Sequence, residues 1–316
     1  MKYILLVVMA FLLTSCSLQK QVVGEFYLEQ KQYDKGYAHF QKNIEKDKNN
    51  ASAQYYLGRF LLAKKQTKNA IFHFKKAILF DNSKSIYHSW LGVAYFLNKN
   101  YNNERKEYIK ALELDKNNLQ ALQYLGYNYH DKKEYTKALK YYFRVLEISP
   151  ENQTVLYYRA MSFKKLGRKA EEISAFKEYL TYYPTGSFAK ESVSRLNKLG
   201  YFEYRNFIIG ARTVTLKNIN FKPFTTNMDY ESEKSLDVLG EILVQNKNIK
   251  IHIVAYQEKN LDLAKEKAKS IKKYILNKYS KIESNRLKLS WFDSSKKING
   301  YNLYKDIEFI TAINKG

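Results

Sequence analysis

The chain has 316 residues, a formal net charge of +23 and a pI near 9.6. Its one cysteine excludes disulfides within the chain and a metal centre built from several cysteines. From Phe207 onward there are 20 basic and 12 acidic residues, and before it 34 and 19. The positive excess is therefore spread along the chain. It reads first as a lysine-rich solvated surface and second as attraction to an anionic partner or surface.

The chain opens with Lys2 and an apolar run from Ile4 to Leu13, ending in Leu13-Thr14-Ser15-Cys16. The run is too short to span a bilayer and has the form of a secretory signal. Leu13-Thr14-Ser15-Cys16 resembles a bacterial lipobox. The resemblance implies a lipoprotein signal peptide over 1–15, cleaved before Cys16, which then carries acyl chains, palmitate among them. More than one chain makes such an anchor stable. Ser17 in place of Asp implies, by resemblance to enteric lipoproteins, the outer membrane facing the periplasm. A secreted, lipidated chain meets little nucleic acid, so the charge does not imply that partner.

A period of 34 then begins. Gly24, Gly58, Gly92 and Gly126 recur at that spacing, and Ala160 continues the series. Three residues later stand Tyr27, Leu61, Tyr95, Tyr129 and Phe163. Twelve residues later stand Gly36, Ala70, Glu104, Ala138 and Glu172, and sixteen later Phe40, Phe74, Tyr108, Tyr142 and Phe176. The pattern predicts two amphipathic helices per unit. A small residue on one lets an aromatic of the other approach, and stacking of neighbours buries what one hairpin cannot. Asp81-Asn82, Asn117-Asn118 and Ser149–Asn152 break the chain between units. These residues resemble the tetratricopeptide repeat over Leu18–Asn50, Ala51–Asp81, Ile86–Asp115, Leu119–Pro150 and Gln153–Pro184, with Phe188–Leu199 as a closing helix. Asn43, Arg159 and Glu172 depart from the family skeleton. The resemblance implies an α superhelix over residues 16–200.

Its concave face is expected to carry the partner-binding groove: Tyr55, Arg59, Phe96, Gln123, Tyr127, His130 and Tyr157. The lysines and asparagines that clamp chaperone carboxylates in some members are missing. Arg59 and Tyr127 are the expected anchors for a peptide or helix of a partner protein.

After Gly200 the period stops. Thr213–Leu216 and Ile219–Phe221 read as strands, Tyr230–Gln245 as a helix, Lys250–Tyr256 as a strand and Leu261–Lys278 as a second helix. Leu287–Phe292 and Asp306–Ile310 complete a small α+β sandwich over 207–316. The order, with Asn218–Phe221, Leu236–Leu239, Ile251–Ile253, Asn260–Ala268 and Ile307–Phe309, resembles the OmpA-like domain. That family grips peptidoglycan, which makes Gln257, Asn260 and Lys267 candidate wall-binding residues. The resemblance is divergent there: Gln257 stands in place of the family's Asp, Lys267 in place of its Arg, and Tyr304-Lys305-Asp306 replace Asn-Arg-Arg. A neutral Gln loses an ion pair, and Lys cannot make the two-pronged Arg clamp.

No residue nominates chemistry. His39 and His73 sit on separate hairpins and make an unpromising metal pair. Asp229, Glu231 and Glu233 cluster at a helix start, where the dipole favours them. No phosphate loop or nucleophile motif is present. The expectation is therefore no enzyme, no catalytic residue, no metal and no cofactor. The chain is expected to be a lipid-anchored envelope adaptor whose repeats bind an envelope protein and whose C-terminal domain contacts wall or complex. The rivals are a peptidoglycan-tethering lipoprotein and an assembly factor for outer-membrane proteins.

Overall fold

The computed structural model describes residues 20–294, 297–298, 301–302 and 307–313. Cys16, the run Ile4–Leu13 and Tyr304-Lys305-Asp306 lie outside the described residues. The chain divides into two compact units, Met1–Arg168 and Lys169–Gly316, so residue 200 falls inside the second.

The first unit is helical. Its elements are α1 (20–29), α2 (Tyr33–Lys46), α3 (Ala51–Ala63), α4 (Thr67–Phe80), α5 (Ser85–Leu97), α6 (Tyr101–Leu114), α7 (Leu119–Asp131), α8 (Tyr135–Ile148) and α9 (Gln153–Lys165). Consecutive helices pack side by side from α2 to α9, and α3 with α5, α5 with α7 and α7 with α9 also touch. That is the pattern of stacked hairpins, each unit leaning on the next.

The periodic residues do the packing. A Cβ at Gly58, Gly92 or Gly126 would lie 2.4–2.6 Å from the ring of Phe74, Tyr108 or Tyr142, the aromatic sixteen residues on. Those rings are wholly buried. The first unit differs: Gly24 faces the ring of Tyr56, not Phe40, and Phe40 instead stacks on Tyr56 with centroids 4.8 Å apart.

Each hairpin turn is closed in the same way. Lys31, Lys65, Lys99, Lys133 and Gly167 all have φ between 53° and 71°. At each, the residue's own N–H and the next N–H bond back into the last helical turn; Lys65 N donates to Leu62 O (2.9 Å) and Gln66 N to Leu61 O (2.8 Å). This is the Schellman closure, which normally takes glycine. Four of the five positions here are lysine. The unit-to-unit junctions use asparagine caps: the side chains of Asn50, Asn118 and Asn152 accept the N–H three residues on, and Lys84 stands in the equivalent place without a cap.

The second unit begins with α10 (Lys169–Tyr182) and α11 (Ala189–Lys198). It continues with β1 (Tyr204–Ile209), β2 (Arg212–Lys217), α12 (Tyr230–Gln245), β3 (Ile249–Tyr256), α13 (Leu261–Lys278), β4 (Leu287–Phe292), β5 (Lys297–Ile298), β6 (Tyr301–Asn302) and β7 (Ile307–Ile313). β3 is central, parallel to β4 and antiparallel to β7. β1 and β2 form an antiparallel hairpin, and Thr311 of β7 donates to Ile208 O of β1 at 2.8 Å. Leu236, Leu239, Ile251, Ile253, Ala268, Ile271 and Phe309 form the core between helices and strands. α11 packs on β1 and β2. Two expectations need correction. Ile219–Phe221 is not a strand; only Phe221 makes an isolated bridge, to Met228. β1 was not foreseen, because Tyr204–Ile209 carries an asparagine and an exposed isoleucine (Ile208) that blur the alternation.

Candidate functional site: an aromatic recess in the repeat groove

The expected groove residues do not share one environment. Tyr55 and Tyr157 are buried. Arg59 donates to Glu25 Oε1 (2.9 Å) and Tyr55 Oη (2.8 Å), and its guanidinium lies 4.0 Å from the Trp90 ring centroid. It therefore ties α1, α3 and α5 together. Burial pushes the Tyr55 hydroxyl up to about 12 against the pull of Arg59. Gln123 donates to Tyr127 Oη (2.8 Å) and accepts from Asn152 Nδ2 (3.4 Å), joining α7 to the cap of α9. His130 sits edge-on to Tyr135 and Tyr158, and burial lowers its pKa.

Phe96 and Tyr127 come together at a recess of about 570 Å³ opening among α5, α6, α7 and α9. Tyr101, Phe96, Tyr124, Tyr127 and Tyr158 form an unbroken row of rings along it, with successive centroids 5.0–6.4 Å apart. Phe96 and Tyr101 are exposed. A wall so aromatic and open to solvent is a protein-recognition surface more readily than a core. At its base stands Glu104, 2% exposed, whose Oε2 accepts from Asn128 Nδ2 at 3.2 Å. Burial pushes the Glu104 carboxyl up to about 7, opposed by that hydrogen bond. Asp131 and Lys132 complete the lining.

Tyr101, Glu104, Tyr124, Asn128 and Tyr158 were not expected at the site. The signal was Glu104 itself, a carboxylate where Gly36, Ala70 and Ala138 stand in the sister units.

A second polar cluster lies in the C-terminal unit, where Gln257 contacts both Lys267 of α13 and the backbone N–H of its cap Asn260. Lys267 donates to Gln257 Oε1 at 2.7 Å and lies 5.0 Å from the Phe221 ring. It is 5% exposed. Asn260 caps α13 by accepting from Leu263 N (2.9 Å). His73, far along the sequence in α4, shares a 2.7 Å hydrogen bond with Gln54, and burial lowers its pKa to about 4.

Family models of the tetratricopeptide repeat match residues 87–118, 119–152 and 154–186. The chain carries tetratricopeptide repeats. These are the segments of α5–α6, α7–α8 and α9–α10, and they include the four helices that frame the recess. Among solved structures, PilF of Pseudomonas aeruginosa is 14% identical with a TM-score of 0.54, over 73% of this chain and 92% of that one. MamA is 20% identical with a TM-score of 0.45, over 58% and 94%. YrrB, described as a TPR protein with an unusual peptide-binding site, is 18% identical with a TM-score of 0.46, over 54% and 87%. At these identities the likeness to PilF is one of fold alone. No curated protein matches the chain in sequence.

Proposed function

We propose that the chain is a lipid-anchored cell-envelope adaptor, acylated at Cys16, whose repeat groove holds a segment of another envelope protein. The observation that carries this reading is the row of rings from Tyr101 to Tyr158, partly exposed and set across four helices. Tetratricopeptide repeats are protein-interaction scaffolds, and exposed aromatics in a concave recess are what a partner's side chains bury against. The lipobox-like Leu13–Cys16 supports the anchor, and the compartment follows from it.

The C-terminal unit serves as the second contact, with the wall or with the assembled complex. Its element order from β2 through α12, β3, α13, β4 and β7 supports an OmpA-like relationship. The Lys267–Gln257 hydrogen bond weighs against peptidoglycan as the main ligand, because a ligand at either group would compete with it.

Crosslinking capture from cells tests the adaptor. A specific partner should be captured by the wild-type chain and lost with Phe96→Ala plus Tyr127→Ala, while Cys16→Ala releases the protein from membranes with the partner still bound. Capture that ignores the two aromatic changes would overturn the groove reading. Retention on purified sacculi that depends on Lys267 would favour the wall-tether rival instead.

A further inference from the structure

Glu104 and Glu172 occupy the same position of the repeat, two periods apart. Both are buried, at 2% and 1% exposed. The chain supplies Glu172 with its own cation: Arg195 of α11 grips it with two prongs, Nε to Oε1 and Nη2 to Oε2 (3.1 Å). Glu104 has no ion-pair partner among the described residues; its hydrogen bond comes from the neutral amide of Asn128. The adjacent Arg105 reaches Glu104 only through that amide, donating from Nε to Asn128 Oδ1 (3.0 Å), and it lies 3.5 Å from Glu134 and 4.6 Å from the Tyr129 ring centroid; it and Lys132 act on Glu104 through space.

We propose that the recess beside Glu104 receives an arginine side chain of the partner protein. Three features converge on that chemistry. A buried carboxylate without a counter-cation is costly, and an incoming guanidinium would relieve it, as Arg195 does for Glu172. Tyr124, Tyr127 and Tyr158 line the recess, and aromatic rings take a planar guanidinium better than an ammonium. Asp131 and Lys132 offset each other in the lining, so the recess turns net negative when Glu104 gives up its proton, the state a bound guanidinium favours, in a chain of net charge +23. A general anion-seeking surface would not hollow out this one spot. Its size, about 570 Å³, admits the whole side chain. The inference rests on the adaptor reading and names what the groove selects.

The test uses the full chain with isotope-labelled tyrosine rings, assigned through Tyr→Phe variants. It is titrated with Nα-acetylarginine amide and with its neutral isostere, Nα-acetylcitrulline amide. The arginine compound should move the Tyr124 and Tyr158 signals with roughly tenfold higher affinity or more, the margin of a charge-assisted over a neutral contact. Glu104→Gln should erase that margin. Glu104→Ala, which restores the residue found at 70 and 138, should do the same and serves where the Gln variant packs poorly. Equal affinities, or signals unmoved by either compound, would overturn the proposal. Loss of arginine selectivity with Tyr127-dependent capture intact sinks this inference alone. Selectivity retained without capture sinks the adaptor reading alone.

Discussion

The guanidinium of Arg59 sits 4.0 Å from the ring centroid of Trp90, one repeat further along the stack. The same group holds Glu25 of the preceding repeat. One side chain thus bridges three successive units. Glu25 is partly exposed, so the ion pair itself contributes about 0.5 kcal/mol, and the ring contact about 1–2 kcal/mol. Arg59→Met should therefore lower stability by about 2 kcal/mol in urea unfolding. Arg59→Lys should recover less than half of it, because an ammonium cannot fork and stack together. An Arg59→Met variant as stable as wild type would show that the bridge is not a structural one.

Lys84 occupies the cap position of α5 with extended backbone (φ −93°, ψ 104°) and no side-chain cap. Asn50, Asn118 and Asn152 do the capping in the sister units. Lys84→Asn should raise stability by about 1 kcal/mol, read as a higher melting temperature. An unchanged melt would mean that α5 does not lack the cap energetically.

The hairpin turns offer a similar gain. Lys99 has φ of 58°, a conformation that costs a residue with a Cβ about 1 kcal/mol relative to glycine. Lys99→Gly should add about 0.5 kcal/mol once the larger entropy of the unfolded chain is subtracted. Hydrogen exchange of the Lys99 and Asn100 amides, whose bonds close the turn, should slow accordingly.

Gly126 is expected to be intolerant. A Cβ there would lie 2.4 Å from Tyr142 Cε1, and Tyr142 is wholly buried with nowhere to move. Gly126→Ala should cost about 1–3 kcal/mol by overpacking. Adding Tyr142→Leu makes room, so the double variant should lose less than the two single losses combined. Additive losses would place the strain elsewhere.

Glu104 predicts a pH dependence of one sign. Unfolded, it ionises near its ordinary value of 4.5; folded, burial holds the proton until about 7. The folded state therefore binds more protons between those values, and stability falls as pH rises from 4.5 to 7, then levels. Water in the open recess limits the effect to about 1–2 kcal/mol. The difference in stability between wild type and Glu104→Gln should show this fall across that window. A difference that stays flat with pH would mean that Glu104 binds its proton equally in the folded and unfolded chain.

Much of the fold was legible because it rests on local rules. The glycine-to-aromatic spacing of sixteen is a helix-hairpin distance, and Gly58, Gly92 and Gly126 meet their rings as the period requires. α12 and α13 run as expected, Tyr230–Gln245 and Leu261–Lys278, each capped by the Asp229 or Asn260 side chain. The site was less legible. Phe96 and Tyr127 reach the recess, but Tyr55 and Tyr157 bury themselves and Arg59 is engaged inside the stack. Groove position in the period tells which way a residue points. It does not tell whether a neighbouring repeat brings a Trp90 or a Glu25 to cover it. Tyr101 and Tyr158 enter the recess from helix positions outside the groove set, through a shape that only neighbouring units together create.

The turn closures carry a last consequence. The same pair of backbone bonds recurs every 34 residues, at 31, 65, 99, 133 and 167. Lengthening or shortening this part of the chain is therefore quantised. Duplication of a whole 34-residue module would find a matching seat at both borders. Insertion of a single amino acid between a small residue and its ring would put that pair out of step, so gene-level change here is expected to proceed by whole modules.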